Sequence, residues 1–463
     1  MKRAWILCVA FGLAVLSRAQ SSPPPLVIRG GTLVDVRTGN ETTRSVIVIR
    51  GERIEQIGTE GSVPIPAGAQ FTDARGKWIV PGLIDSHAHA GDDESVPLGL
   101  FLAHGVTTIR NPGGNLTQLR LARERQRRRE LVSPRLYFAG PILDGIPPVW
   151  AAGSILVDTP ERARSAVNFL ADQGVDFVKV YNNVKESELT AIIAAANERG
   201  LPVAGHVPRT LTMTHAIELG MTRLEHIRIT GKEMLSPEEA EKIDPLPVGR
   251  REPMLWQRFE LQSEKFRALV RLLATSRVFL DPTLVVDEFY EASTREEQAS
   301  SPNNRYWQKA EVEEALKRRN AGVFERPAEL DAAARGGFHK RQKFVGMCEK
   351  AGVRIIAGTD GPDVGELTPG LGLHRELELL VESGLTPLEA LRAATITAAE
   401  ALGKERELGS IEPGKLADIV IVDADPLERV QNLKKINLVL QGGVSYVPSA
   451  LLEHVPEQPG GQH

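Results

Sequence analysis

His87 and His89 stand two residues apart at the end of the apolar run Val80-Pro-Gly-Leu-Ile-Asp-Ser-His-Ala-His. Alternate residues of a strand face the same side, so both imidazoles can reach one metal ion. Two more histidines close short strand-like runs: His206 ends Pro202-Val-Ala-Gly-His and His226 ends Arg223-Leu-Glu-His. Asp360 closes Ile355-Ile-Ala-Gly-Thr-Asp, and Lys179 ends Asp176-Phe-Val-Lys. Each alone has an ordinary reading as a rim histidine, a capping aspartate or a snorkelling lysine. Four of the ten histidines, one aspartate and one lysine all falling at strand ends point instead to a metal centre. The ammonium of Lys179 would be repelled by metal cations. A neutral amine that has taken up carbon dioxide becomes an anionic carbamate, whose two oxygens can bridge two metals, and that accounts for the residue.

The elements that must hold these groups alternate between short apolar runs and longer segments of helical period, such as Ser187–Arg199 and Leu371–Gly384. Eight candidate strands are Trp78–Asp85, Val106–Arg110, Arg135–Gly140, Phe177–Val180, Pro202–Gly205, Arg223–Glu225, Val278–Leu284 and Arg354–Gly358. Eight β/α units predict an α/β fold, a closed (β/α)8 TIM barrel, with the candidate ligands on the C-terminal face where such barrels carry their sites. Both chain ends read differently. Leu26-Val-Ile, Ser45-Val-Ile-Val-Ile, Ala417-Asp-Ile-Val-Ile-Val-Asp and Asn437-Leu-Val-Leu-Gln are β-branched runs separated by tight turns. They predict a small β-sandwich formed by residues 20–80 and 408–453, around a barrel over 81–407.

Two stretches exceed the minimal barrel, residues 231–276 and 285–350, both charged with scattered aromatics. They follow strand ends, so they are either helical covers of the site or plain surface helices. The basic run Arg123–Arg129 is interrupted by Glu124 and lies where a helix is expected, which favours a solvated helix face over a nucleic-acid contact.

Forty-two per cent apolar and 25 % charged residues exclude disordered and multi-span membrane classes, and a net charge of −4 points to no nucleic-acid partner. Lys2 and Arg3 precede an uncharged run from Ala4 to Ser17, closed by Ser17-Arg18-Ala19, which predicts a signal peptide over residues 1–19 and an exported, periplasmic or secreted protein. The run is too short for a spanning helix, so no stable membrane anchor is expected after cleavage. Cleavage removes Cys8 and leaves Cys348, which excludes an intrachain disulfide and a cysteine-rich metal site. The expected partner is a small-molecule substrate; a homo-oligomer is left open.

These motifs resemble the amidohydrolase superfamily, in its imidazolonepropionase-like and Xaa-dipeptidase-like branch, over nearly the whole chain after the signal peptide. The resemblance is carried by Pro81–His89, Gly105–Arg110, Lys179, Gly205-His206, Glu225-His226, Gly358-Thr-Asp360, His374 with Glu376-Leu377, Gly384–Thr395 and Gly409–Val420. It implies two divalent metal ions, zinc by analogy: His87, His89 and Asp360 on one, His206 and His226 on the other, and carboxylated Lys179 between them. Departures are Asn111 where dipeptidase-like relatives usually carry aspartate, Gly140–Trp150 without the expected histidine, and His206-Val-Pro-Arg209 without the expected tyrosine. Strict proline-dipeptide cleavage is therefore not expected.

The expected chemistry is hydrolysis of an amide-like C–N bond, in an N-acyl amino acid, dipeptide or cyclic amide, with Asp360 carrying the proton. Hydrolysis of a lactone or ester is the alternative on the same site, and a non-catalytic binding scaffold is the alternative of another class. Candidate substrate contacts are Arg209, Tyr181 and His374. Arg209 follows His206 by three residues, so its guanidinium could take a substrate carboxylate; its ordinary reading is a loop arginine paired with a surface acid.

Overall fold

A computed structural model describes residues 24–93, 96–319, 321 and 325–453. The expected signal peptide, residues 1–19, lies outside the described residues.

The central sheet is parallel and follows chain order. Its strands are Leu83–Asp85, Val106–Asn111, Arg135–Phe138, Val178–Val180, Val203–Gly205, Arg223–Glu225, Phe279–Asp281 and Arg354–Ile355, hereafter barrel strands one to eight. Strands one to three pair in parallel, with a register shift between Leu83 and Ile84, and strands four to eight pair in parallel in turn. Gly140, at φ +71°, turns the chain between strand three and a short continuation, Ile142–Asp144, that pairs with strand four through Leu143 and Val180. The ring closes where Ser86 N donates to Ala357 O at 2.9 Å and Ala88 bridges Gly361. Helices between strands bury apolar faces on the outside of the ring. Pro160–Asp172, for example, starts from a Thr159 cap, sets Pro160 where no amide is needed, and buries Ala163, Ala166, Val167 and Leu170.

Both chain ends build two further sheets. One orders Arg53–Thr59, Ser45–Arg50, Leu26–Arg29 and Gln70–Asp73; the other carries Ile419–Val422 between Ile436–Gln441 and Trp78–Pro81. Ile28, Ile47, Ile49, Ile79, Ile419, Ile421 and Leu440 fill the space between them, as alternating β-branched strands require.

Three strand expectations need correction. Trp78–Asp85 is two strands: Trp78–Pro81 pairs antiparallel with Ile419–Val422, and Leu83–Asp85 enters the barrel. The break falls at Gly82, where a Cβ would meet Thr107 Oγ1 at 2.2 Å. Val278–Leu284 ends early, because Thr283 turns left-handed at φ +48° and opens the helix Leu284–Asp287. The strand expected over Arg354–Gly358 is regular only at Arg354–Ile355.

The two long insertions are helical. Residues after strand six form helices that include Val248–Arg258 and Glu264–Thr275; residues after strand seven include Lys309–Arg318 and Asp331–Lys350. The basic run covers the last turn of the helix Leu116–Arg127 and the turn after it, with Arg123 on Asp176 at 2.9 Å and Arg128 on Glu124 at 2.8 Å. Among the described residues, no helix is long and apolar enough to cross a membrane.

Candidate metal centre

The strand ends bring the six candidate ligands to one cavity of about 570 Å³, whose lining includes His87, His89, Lys179, His206, His226 and Asp360. The imidazoles form a row. Ring centroids lie 5.4 Å apart for His89 and His87, 5.1 Å for His87 and His226, and 4.8 Å for His226 and His206. Asp360 faces the row from strand eight. Its Oδ1 lies 3.1 Å from both His87 Nε2 and His89 Nε2, and its Oδ2 lies 3.6 Å from His226 Nε2. One donor atom each from His87, His89 and Asp360 falls within a 4.8 Å cluster.

Neighbours orient the imidazoles so that Nε2 faces inward. His89 Nδ1 lies 3.1 Å from the Gly113 carbonyl, which only accepts, so Nδ1 carries a proton and Nε2 faces Asp360 Oδ1. His206 Nδ1 lies 2.8 Å from Asn182 Oδ1, and His226 Nδ1 2.6 Å from Thr283 Oγ1. Asn111 donates to Ala90 O and accepts from Gly113 N, both at 2.9 Å, and so shapes the turn that holds His89. Asp85 accepts from His87 N at 3.1 Å and from Thr359 Oγ1 at 2.9 Å, tying the ligand loops of strands one and eight together. His226 and Asp360 both adopt left-handed backbone, φ +62° and +55°, a conformation that side chains other than glycine pay for.

Burial sets the charges. It holds His87 below the ordinary imidazole range and His206 and His226 well below it, so their lone pairs stay available. Burial is the largest influence on His89 and opposes its charge, but the hydrogen bond and the negative charge of Asp360 together outweigh it and raise that imidazole. Burial would raise Asp360, yet His87 and His226 hold it well below the usual carboxylate range. A carboxylate facing inward imidazole lone pairs is a cluster of electron donors, and it suits divalent cations. His87 Nδ1 is buried without a hydrogen-bond partner, which leaves that ring to be fixed by what its Nε2 meets.

Beneath the row lies a buried ionic floor. Lys179 Nζ contacts Glu225, Arg110 Nη2 donates to the other Glu225 oxygen at 2.7 Å, and Arg110 reaches Asp281 at 3.5 Å. Burial would raise Glu225, but Lys179, His87 and Arg110 hold it far below the usual range. Asp281, with one oxygen unpartnered, is pushed well above it by burial.

Of the candidate substrate contacts, Tyr181 lines the cavity, its ring 4.2 Å from that of His206. Arg209 does not line it: it lines a neighbouring cleft, because its backbone N is tied to Asn182 O at 2.8 Å. His374 does not line it either. It is buried on the helix Leu371–Glu382 with Nε2 2.9 Å from His104 O. Both insertions reach the cavity, through Val248, Gly249 and Pro253 after strand six and Asp287, Tyr290 and Glu291 after strand seven. Asp85, Asn182, Asp281 and Thr283 carry roles that sequence reasoning missed; only the position of each at a strand end or in the turn after it signals them.

This fold and donor set define a class, and the chain belongs to it: residues 78–445 match the Amidohydrolase family. The chain is 24 % identical over 432 residues to an adenine deaminase from Paracoccus denitrificans (strain Pd 1222), covering 91 % of this chain and 58 % of that protein. It thus spans a little over half the length of the adenine deaminase it matches. It is 24 % identical over 484 residues to an ochratoxinase from Aspergillus niger, covering 90 % of this chain and 85 % of the relative. Among solved structures, a Xaa-Pro dipeptidase with bound methionine superposes with TM-score 0.67 at 21 % identity, covering 91 % of this chain and 100 % of that one. The A. niger ochratoxinase superposes with TM-score 0.65 at 21 % identity, covering 92 % and 96 %. These likenesses show the fold.

Proposed function

We propose that the protein hydrolyses an amide-like C–N bond of a small molecule, an N-acyl amino acid, dipeptide or cyclic amide, at a binuclear metal centre. The observation that carries this reading is the convergence of three imidazole Nε2 atoms on the one carboxylate of Asp360 at 3.1–3.6 Å. His87, His89 and Asp360 would hold one ion, and His206 and His226 the second. Divalent ions bound there supply Lewis acidity, which makes water nucleophilic near neutral pH and polarises a carbonyl oxygen.

The chain's own residues do the rest. Asp360, ionised by its imidazole neighbours, takes the proton of the attacking water and returns it to the departing nitrogen. Val286, Tyr290 and Trp150 give the cavity wall its apolar surface. Lys179 in this reading carries a carbamate: its neutral amine adds to carbon dioxide and releases one proton. That exchanges the Lys179–Glu225 ion pair for two neighbouring anions, a repulsion of about 4 kcal/mol at ~4 Å in an effective dielectric of ~20, which bound divalent cations would have to offset. The relatives' names agree in kind, since deaminases, dipeptidases and ochratoxinase act on C–N bonds. The test is to remove metal with a chelator, restore it, and follow amide cleavage: loss and recovery support the reading, and full activity without metal overturns it.

A further inference from the structure

Resting on that amide-hydrolysis reading, we infer that the substrate is an N-acyl amino acid with an apolar, ring-bearing acyl group, which lies on Trp150 while its carboxylate meets Arg228. The row of rings described above does not stop at the histidines. Trp150 continues it beyond His89 at 6.4 Å, edge to face, and Tyr181 continues it beyond His206 at 4.2 Å. A substrate lying along the row with its scissile bond over the metal ligands has one end at Trp150 and the other at the His206 and His226 end.

The two ends differ in chemistry. At the first, the Trp150 indole is 42 % exposed, lines the cavity beside Ile142, and is flanked on the rim by exposed Ile146 and Val149. Its seat is built: a Cβ on Gly153 would come within 2.8 Å of the indole, and Trp150 O accepts from Ser154 Oγ at 2.7 Å. An exposed aromatic fixed at a cavity mouth is a platform for another apolar ring.

At the other end, Arg228 follows the ligand His226 by two residues and lines the cavity. Among the described residues its guanidinium makes no hydrogen bond, and its one ion partner, Glu252 Oε1, lies 3.8 Å away. Glu252 is already held by Arg251 at 2.9 Å and by Arg341 at 3.3 Å, and Arg341 also takes Glu291 and Asp287. Arg209 and Arg251 stand behind Arg228 around the neighbouring cleft. Asp244, the other carboxylate of that cleft, accepts from Gly231 N at 2.6 Å and Lys232 N at 3.1 Å. Arg228 is thus left without a hydrogen-bonded carboxylate, and its five N–H donors in a planar fork fit one on the substrate.

The test compares N-benzoyl-L-leucine, its C-terminal methyl amide and N-acetyl-L-leucine on the metal-loaded protein, by release of benzoate or acetate. The parent should favour acid over methyl amide, and benzoyl over acetyl, by about tenfold or more in kcat/KM. Arg228→Met should bring the first ratio within about threefold of unity and leave the second, with Arg228→Lys between, since it keeps the charge without the fork. Trp150→Ala should collapse the second ratio and leave the first. A parent that cleaves these amides without discrimination, or variants that keep both ratios, overturns this inference alone. A metal-loaded parent that cleaves none of the three overturns the amide-hydrolysis reading with it.

Discussion

Lys179 on strand four and Glu225 on strand six meet in a fully buried ion pair directly beneath the histidine row. Glu225, the last residue of the strand, points into the floor, and the left-handed backbone of His226 (φ +62°) sends the next side chain to the row instead, with Nε2 3.6 Å from Asp360. In the proposed centre the lysine would have a partner without metal and a ligand role with it. Lys179→Ala should lose bound metal and amide-cleaving activity together, to be read by elemental analysis and kinetics on the same preparation. Activity within a few-fold of the parent would remove Lys179 from the centre.

Arg110 is the cation that lets Glu225 and Asp281 share the floor, from 2.7 and 3.5 Å. Arg110→Met should cost about 3–5 kcal/mol of folding stability, the usual loss when one partner of a buried ionic group is removed. Urea unfolding of the metal-free variant measures it, and a change below ~1 kcal/mol would show the floor to be compensated elsewhere.

Asp360 should matter for chemistry more than for folding. Asp360→Asn should reduce turnover on the order of 10²–10⁴-fold, the usual worth of a positioned acid–base group, with part of the metal retained. Turnover near the parent's at equal metal content would assign the proton to another group.

Glu376 gives a pH signature away from the metals. It is fully buried, accepts from Val285 N at 2.7 Å, and burial pushes its carboxyl up from 4.5 to about 8. Between those values the unfolded chain has released the proton and the folded chain keeps it, so stability falls as pH rises through the window and levels off above it. Glu376→Gln has no proton to lose and should be more stable than the parent at pH ~8 by roughly 1–3 kcal/mol, with the gap closing toward pH ~5. Thermal unfolding at both pH values checks this; an equal difference at the two would contradict it.

The convergence of the six candidate ligands on one cavity was legible because each ends a short apolar run, and strand ends of a parallel barrel share one face whatever the loops do. The sandwich was legible from its β-branched alternation. What stayed hidden depends on neighbours distant in sequence. Arg110 and Glu225 are 115 positions apart, and nothing local marks Glu225 as the partner of Arg110 or Lys179. Arg209 was the more visible arginine, three residues past His206, but the tie of its backbone to Asn182 directs it to the adjoining cleft, and Arg228 takes the cavity wall. His374 shares the motif region of strand eight yet faces the outer packing against His104.

The central claim is a centre of two metals that the strand-end ligands hold and the hydrolysis requires. Its most direct measurement is metal content and amide-cleaving activity on one purified sample, before chelation, after it, and after titration with zinc. The account predicts about two divalent ions per chain in the active protein, since six ligands exceed what one tetrahedral ion takes, with activity lost on removal and regained as the second equivalent binds. Full activity in protein stripped of metal, or activity complete at one equivalent, would contradict it.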